Sequence, residues 1–288
     1  MTAPTPEYPR ADAHIHLFET GFVGGSFTGR PGVRIDEVAC YKSLADSFHV
    51  KAALVVGWAG APWAAGNNAF LARIVGDHPW VHPTAYVDAP ETLTAAALEE
   101  RRQQGFVGIS FYIYSPGKAG GLSLVPDDVW VWFVKHHWLI SVNSSGPHWP
   151  AWVPVLRRHP ELRIVMSHMG QPQGVSEPPT PQIARQILST VLALAEFPGP
   201  RVKLSGFYGA TRPPYDYPHQ AAWPYVEALI ERFGIARLVW GSDFSPCLDH
   251  QTFPQTLGLF AKMPFLNDAD RQRIEGANLL DLLREVKR

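Results

Sequence analysis

The stretch Ala11–Leu17 reads ADAHIHL, a short apolar run that ends in two histidines two positions apart. Seven further runs of similar length recur along the chain, most of them β-branched or aromatic and not strictly alternating. Continuous apolar runs of this kind are typical of strands buried on both faces of a parallel sheet. The eight predicted strands are Ala11–Leu17, Ala52–Gly57, Val81–Val87, Phe106–Tyr112, Leu139–Ser144, Leu162–His168, Arg201–Ser205 and Leu238–Ser242.

Longer segments with helical period or helix-forming composition separate these strands. The predicted helices are Asp36–Phe48, Ala65–Asp77, Thr92–Gln104, Asp127–His137, Trp149–His159, Thr180–Glu196 and Ala221–Phe233. Two more, Phe253–Lys262 and Asp268–Arg284, follow the last strand, with Asn267 or Asp268 as the N-cap of the second. Eight strands alternating with helices predict an α/β fold, a (β/α)8 TIM barrel with an extra C-terminal helix. The rival is an open doubly wound sheet, but no Gly-x-Gly-x-x-Gly segment follows any predicted strand, which disfavours its nucleotide-binding form.

Composition narrows the class of protein. The chain has 288 residues, of which 46% are hydrophobic and 18% charged, so a sizeable core is available and disorder is not expected. Lys plus Arg number 25 against 26 for Asp plus Glu, a balance that disfavours nucleic acid or an anionic membrane as the partner. No linker divides the chain, so we expect one domain over residues 1–288, with residues 1–10 as an N-terminal extension.

Localisation and partners follow from what the sequence lacks. No segment reaches the roughly 18 apolar residues of a membrane-spanning helix, and the N-terminus has no apolar signal region. Cys40 and Cys247 are the only cysteines, too few for a disulfide scaffold. We expect a cytoplasmic protein that takes a small-molecule substrate, with a homo-oligomer left open.

Four polar residues end predicted strands, which is where barrel enzymes carry their active sites. His14 and His16 project from one face of the first strand and could converge on one divalent ion or one anionic substrate. His168 ends the sixth strand and Asp243 follows the eighth. A carboxylate flanked by Trp240 and Phe244 needs a cation, a histidine or a water as its partner. Structural roles remain the alternative for each: unrelated histidines, or a helix N-cap at Asp243.

Other residues near strand ends could shape a pocket for a small polar molecule. Tyr112 ends the fourth strand, and His148 lies just beyond the fifth. Tyr208 and Arg212 follow the seventh. We predict these four as substrate-binding residues, with core or loop packing as the alternative explanation for each.

Four segments together make the chain resemble a known family. They are DAHIHLF at 12–18, SHMGQP at 167–172, VKLSG at 202–206 and WGSDF at 240–244. This set resembles the amidohydrolase superfamily, and more narrowly the amidohydrolase family 2 branch of 2-pyrone-4,6-dicarboxylate lactonase and related sugar lactonases. The tail at 273–283, RIEGANLLDLL, is similar to the C-terminal helix of that branch. The resemblance covers residues 11–284.

The resemblance implies a distorted (β/α)8 barrel that hydrolyses lactones or amides at its C-terminal mouth. Asp243 matches the family's general base, which activates water. His14 and His16 match a pair that binds metal in many members and polarises substrate in metal-free ones. His168 matches a histidine that contacts the substrate or its attacked carbonyl.

Two departures from the family pattern affect the metal and the substrate. Ser144 stands where metal-binding relatives usually carry another histidine, so one zinc held by His14, His16 and Asp243 and a metal-free site both stay open. Ser110 stands where lactonase relatives often carry a carboxylate-gripping arginine, which disfavours a dicarboxylate substrate. The leading hypothesis is a lactone hydrolase. The alternatives are a zinc-dependent non-oxidative decarboxylase, against which Ser144 counts, and a non-catalytic binding protein on a decayed scaffold.

Overall fold

Eight parallel strands form one sheet in the structure, a computed structural model that describes residues 8–23 and 35–288. The strand order is β1 to β8 in sequence, with each strand hydrogen-bonded to the next. Just beyond β8, the Asp243 N–H donates to the His14 carbonyl at 2.8 Å, and Ile15 bridges Phe244 in parallel register. The sheet therefore nearly closes on itself as the predicted (β/α)8 barrel, and the doubly wound rival is wrong. The strands are β1 Arg10–Ile15, β2 Val50–Val56, β3 Val81–Tyr86, β4 Gly108–Ile113, β5 Leu139–Ser144, β6 Arg163–Met166, β7 Arg201–Leu204 and β8 Leu238–Trp240.

Helices cover the outside of the barrel between the strands. They are α1 Glu37–Ser47, α2 Asn67–Ile74, α3 Ala95–Gln103, α4 Pro116–Gly121, α5 Asp127–His136, α6 Val153–Arg158, α7 Pro181–Ile187, α8 Ser189–Leu192, α9 Phe207–Ala210, α10 Trp223–Phe233, α11 Phe253–Gly258, α12 Asp268–Gln272 and α13 Asn278–Glu285. Short 3-10 segments take up parts of several predicted helices, such as Gly146–Trp152 before α6. The short helices α4 and α9 lie in segments for which the sequence predicted no helix.

The C-terminal helix begins as the sequence predicts. The Asn267 side chain accepts from the Asp270 N–H while the Asp270 side chain accepts from the Asn267 N–H, which makes a capping box. A π-helical turn, Arg273–Ala277, joins α12 to α13. No helix within the described ranges has the length and apolar character that crossing a bilayer requires. The predicted extension over residues 1–10 lies mostly outside the described residues.

A buried ion pair ties this C-terminal segment to the N-terminal end of the barrel. The Arg10 Nε atom, at the start of β1, lies 2.8 Å from Glu275 Oε2. The Tyr8 hydroxyl donates to the same carboxylate at 2.9 Å. Arg10 also donates to the Phe48 carbonyl at 3.0 Å. Both charged groups of this ion pair therefore have a further hydrogen-bond partner.

Candidate active site

The four residues that the sequence singled out at strand ends lie together at the C-terminal end of the barrel. His14 Nε2 is 3.2 Å from His16 Nε2 and 3.5 Å from Asp243 Oδ1. His16 Nε2 is 3.7 Å from the same carboxylate oxygen, and His168 Nε2 is 3.9 Å from Asp243 Oδ2. His14, His16 and Asp243 are buried. Side chains more than 200 residues apart thus converge on one point.

Two glycines allow this convergence. A Cβ atom at Gly241 would lie 2.8 Å from the His14 Cβ, and one at Gly206 would lie 2.5 Å from the His168 Nδ1. Any side chain at these positions would displace the histidines, which explains the glycines in WGSDF and VKLSG.

His168 and Asp243 themselves have positive φ angles, 54° and 62°, an uncommon conformation for residues other than glycine. Such backbone geometry is concentrated at functional sites.

Hydrogen bonds fix the orientation of each side chain. The His16 Nδ1 lies 2.8 Å from the Val56 carbonyl, which can only accept, so this nitrogen carries the proton and Nε2 presents a lone pair. The His168 Nδ1 is 3.0 Å from the Ser205 hydroxyl oxygen. The Tyr208 hydroxyl donates to Asp243 Oδ2. Asp243 therefore has one oxygen held by Tyr208, while the other faces the two imidazoles.

Asp12 has a supporting position beside these residues. Its carboxylate accepts from the His14 N–H at 3.1 Å, from the Ser242 N–H at 2.9 Å and from the Tyr41 hydroxyl at 3.0 Å. These bonds link β1 to the segment that follows β8. Asp12 thus holds together the two chain segments that carry His14 and Asp243.

Lys203 is a central residue that our sequence reasoning did not single out. It lies on β7, fully buried, with its Nζ donating to Ser141 Oγ at 2.6 Å and lying 3.2 Å from His14 Nδ1. Lysine is almost never fully buried without partners, so a lysine between Val202 and Leu204 in a strand with a buried interior was the available signal. Its contact with the back of the His14 ring makes it part of the site.

Burial dominates the electrostatics. It raises the pKa of Asp243 to about 7, with the Asp12 charge adding to the rise and the Tyr208 hydrogen bond and Lys203 opposing it. Burial also lowers the pKa of His16 to about 4 and that of His168 to about 3, and it holds the pKa of His14 well below its usual range. The three imidazoles are therefore neutral at pH 7.

The same burial lowers the pKa of Lys203 to about 7, against the opposing charges of Asp243 and Asp12. The ammonium and the Asp243 carboxyl are both near their titration midpoints at neutral pH. The site can therefore hold or release protons in the range where most enzymes operate.

The donor set of His14, His16 and Asp243 has the spacing of a metal site. One ligand atom from each residue lies within 4.8 Å of the other two. Zinc binds nitrogen and oxygen ligands at about 2.0–2.2 Å in a tetrahedron, which puts the ligand atoms roughly 3.3–3.6 Å apart. The observed separations of 3.2, 3.5 and 3.7 Å fit that requirement. The hydroxyl of Ser144 donates to the Ile113 carbonyl at 2.8 Å, so it is turned to the backbone and does not replace the family histidine as a ligand.

The predicted substrate-binding residues occupy different environments. Tyr208 is bonded to Asp243, and the Tyr112 hydroxyl is buried on β4. His148 is half-buried in the 3-10 segment after β5. The Arg212 guanidinium donates to the carbonyls of Gly209 and Thr211 within its own loop, at 3.2 and 2.8 Å. Tyr208 therefore belongs to the central cluster, whereas the Arg212 side chain is hydrogen-bonded within its own loop.

Aromatic side chains form a wall beside His16. Phe18 stacks on the His16 ring with centroids 5.9 Å apart, and Trp63 packs edge-on against Phe18 at 4.8 Å. Trp58 lies 5.2 Å from Trp63 and 6.4 Å from Tyr112. Sequence reasoning did not select Phe18, Trp58 or Trp63, because aromatic residues in a loop predict packing as readily as binding. This wall offers flat apolar contact to a small ring.

A parallel barrel with histidines and a carboxylate gathered at its C-terminal mouth is the arrangement of an enzyme active site. A model of the amidohydrolase family matches residues 11–284, and the chain belongs to that family. The chain is 28% identical over 191 residues to an L-fucono-1,5-lactonase from Burkholderia ambifaria. That match covers 62% of this chain and 57% of the relative, so just over half of the relative's length is matched.

Solved structures have the same fold at low sequence identity. An amidohydrolase from Burkholderia multivorans with bound zinc has a TM-score of 0.74 and 16% identity, and the match covers 96% of this chain and 99% of that one. A probable 2-pyrone-4,6-dicarboxylic acid hydrolase from Acinetobacter baumannii with bound citric acid has a TM-score of 0.69 and 18% identity, with the same coverage. The resemblance to this family that the sequence indicated is confirmed.

Proposed function

We propose that this protein hydrolyses a lactone, with Asp243 as the general base that activates water. The observation that carries the proposal is the arrangement of the Asp243 carboxylate. One oxygen is held by Tyr208, and the other faces His14 and His16 at 3.5 and 3.7 Å. A general base works best when its pKa lies near the operating pH, and burial raises that of Asp243 to about 7.

The reaction requires two proton movements. Asp243 takes a proton from water as the water oxygen attacks the ring carbonyl carbon. The ring C–O bond then breaks, and the leaving alkoxide takes up the proton that Asp243 removed from water, which leaves a hydroxy acid and restores the Asp243 carboxylate. His168 is positioned to orient the carbonyl through a hydrogen bond or to relay the proton from Asp243 to that alkoxide, because its Nε2 lies 3.9 Å from Asp243 Oδ2. The negative charge that develops on the carbonyl oxygen needs donors or a cation aimed at it.

His14, His16 and Asp243 would hold a divalent metal such as zinc. When bound, the metal would polarise the carbonyl and lower the pKa of water. The zinc bound in the Burkholderia multivorans structure, which has the same fold, supports this.

The substrate class follows from the walls of the site. The Ser110 hydroxyl donates to the Gly57 carbonyl at 2.6 Å, so this position supplies no charge for a carboxylate. Aromatic contact from Phe18, Trp58 and Trp63 suits an uncharged ring. The relative named L-fucono-1,5-lactonase supports a 1,5-lactone.

Proton release from a panel of neutral 1,4- and 1,5-lactones tests the proposal. We expect saturable hydrolysis by the wild type and a roughly 10³-fold loss of kcat in Asp243→Asn, because that variant lacks the base. The control is Asp88→Asn, which alters an exposed carboxylate after β3 that bonds Tyr86 and Lys118 and should keep its activity within twofold. Near-native turnover by Asp243→Asn would show that the base has been assigned wrongly. Carbon dioxide release from aromatic acids, without lactone turnover, would favour the decarboxylase alternative.

Elemental analysis of protein purified without chelator tests the metal. We expect one equivalent of zinc or manganese in the wild type and a large loss in His16→Asn, since two protein ligands bind metal less tightly than three. A wild type free of metal that still hydrolyses lactones would establish the metal-free mechanism.

A further inference from the structure

Three buried polar atoms near the mouth have no hydrogen-bond partner among the residues that the structure describes. They are the Tyr112 hydroxyl oxygen, Asn143 Nδ2 and Ser167 Oγ. Asn143 and Ser167 are buried residues, at 2% and 0% exposure. Leaving such a group unpaired costs about 1–3 kcal/mol, so each one calls for an explanation.

The strand register puts all three on the inner face of the barrel. Ser141 points inward, because its hydroxyl bonds the buried Lys203 amine across the interior. Side chains two apart on a strand share a face, so Asn143 also points inward. Tyr112 is paired with Asn143 in the β4–β5 register. Val165 is paired with Ser141, and Ser167 is two residues further on, so it faces inward as well. The three side chains therefore form a row across three neighbouring strands, which we call the Tyr112–Asn143–Ser167 row.

This row borders the reaction centre. Ser167 directly precedes His168, and its N–H continues the β5–β6 ladder by donating to Val142 at 2.9 Å. Burial raises the pKa of Tyr112, so its hydroxyl keeps its proton at pH 7. The Tyr112 ring contacts Trp58 of the aromatic wall at 6.4 Å. Tyr112 therefore connects the row to the aromatic wall.

The chemistry of the three groups specifies what they bind. Two hydroxyls can each donate and accept, and an amide nitrogen donates. None of the three carries a charge at pH 7. They match the hydroxyl groups of a neutral ligand, whereas a carboxylate would require a cation.

We propose that the Tyr112–Asn143–Ser167 row binds ring hydroxyl groups of the substrate and sets the preference for a hydroxylated over an unsubstituted lactone. This inference rests on the proposed lactone hydrolysis and adds the residues that recognise the substrate. A site built to hydrogen-bond hydroxyls rejects analogues that lack them, because its buried polar groups are then left unpaired.

The test compares kcat/KM for L-fucono-1,5-lactone and D-glucono-1,5-lactone with that for δ-valerolactone, the same ring without hydroxyls. The variants are Tyr112→Phe, Asn143→Leu and Ser167→Ala, each of which removes one polar group with little change of shape. We expect the wild type to prefer a hydroxylated lactone by roughly 10⁴-fold and each variant to lower that ratio by about 10- to 100-fold. The matched control is Thr190→Val, which removes an unpaired buried hydroxyl on α8 and should leave the ratio unchanged.

Two further measurements distinguish a failure of the row from a failure of the proposed lactone hydrolysis or of the fold. Calorimetry with 1,5-anhydroglucitol and tetrahydropyran, rings that cannot be hydrolysed, tests the row without turnover. Tighter binding of the hydroxylated ring by the wild type, lost in the three variants, supports the row even if no lactone is hydrolysed. An unchanged preference in all three variants overturns it, even if lactones are hydrolysed. Thermal unfolding checks each fold, and the apolar replacements should keep or raise Tm, whereas a structural role would lower it.

Discussion

The two ends of the barrel hold buried charges in opposite ways. At the N-terminal end, Arg10 and Glu275 lie 2.8 Å apart and each has a further hydrogen bond. At the C-terminal mouth, Asp243 faces neutral imidazoles, and the pKa values of Asp243 and Lys203 are shifted to about 7. Breaking a buried pair of the first kind leaves an uncompensated charge and destabilises the fold, while shifted groups of the second kind are suited to proton transfer. This contrast predicts that substitutions at the N-terminal end alter stability and that substitutions at the C-terminal mouth alter turnover.

Glu275→Gln is expected to give the largest effect, and on stability alone. It leaves the buried Arg10 guanidinium without its counter-charge, which should lower the free energy of unfolding by about 3–5 kcal/mol. Urea denaturation measures this loss. At temperatures where the variant is folded, kcat/KM should stay within twofold of the wild type. The double variant Arg10→Met/Glu275→Leu should regain much of the stability, because no unpaired charge remains. A loss of turnover in folded Glu275→Gln would break the division between the two ends.

The sequence predicts the residues of the C-terminal mouth better than it predicts the ion pair at the N-terminal end. The alternation of eight apolar runs with helical segments is a local pattern, so it predicts the barrel and hence the edge at which His14, His168 and Asp243 meet. The pairing of Arg10 with Glu275 joins residues 265 positions apart, and no local pattern indicates it.

Lys203 illustrates the same limit within the mouth. A charged side chain between apolar neighbours is unusual in a buried strand, and the sequence shows that much. Only the folded structure shows that Lys203 reaches His14 and Ser141. The position of Tyr208 just after the seventh strand predicts a pocket residue, whereas its hydrogen bond to Asp243 depends on how α9 meets the segment after β8.

Lys203→Met is expected to give an intermediate effect, and on turnover. The His14 ring loses the partner at its Nδ1, and residues that orient a catalytic or metal-binding histidine typically contribute 10- to 100-fold, so we expect roughly a 100-fold loss of kcat/KM. Removing a buried ammonium should leave the free energy of unfolding equal or higher. Ser141→Ala removes the other contact of Lys203 while keeping the charge, and a smaller loss is expected. A large fall in stability without loss of turnover would assign Lys203 to the scaffold.

His82→Gln is expected to give the smallest effect, confined to acid pH and to stability. His82 is the second residue of β3, and burial, with the neighbouring Arg288 charge, lowers its pKa to about 4. The unfolded chain binds this proton below about pH 6.5 and the folded chain does not. His82 therefore does not alter the stability of the wild type above that pH and lowers it as the pH decreases towards 4. At pH 5 the cost is about 2 kcal/mol, which His82→Gln should remove. Urea midpoints at pH 7 and pH 5 measure the difference. An equal acid loss in the variant would show that the sensitivity arises elsewhere, with the cluster at the mouth as the next place to look.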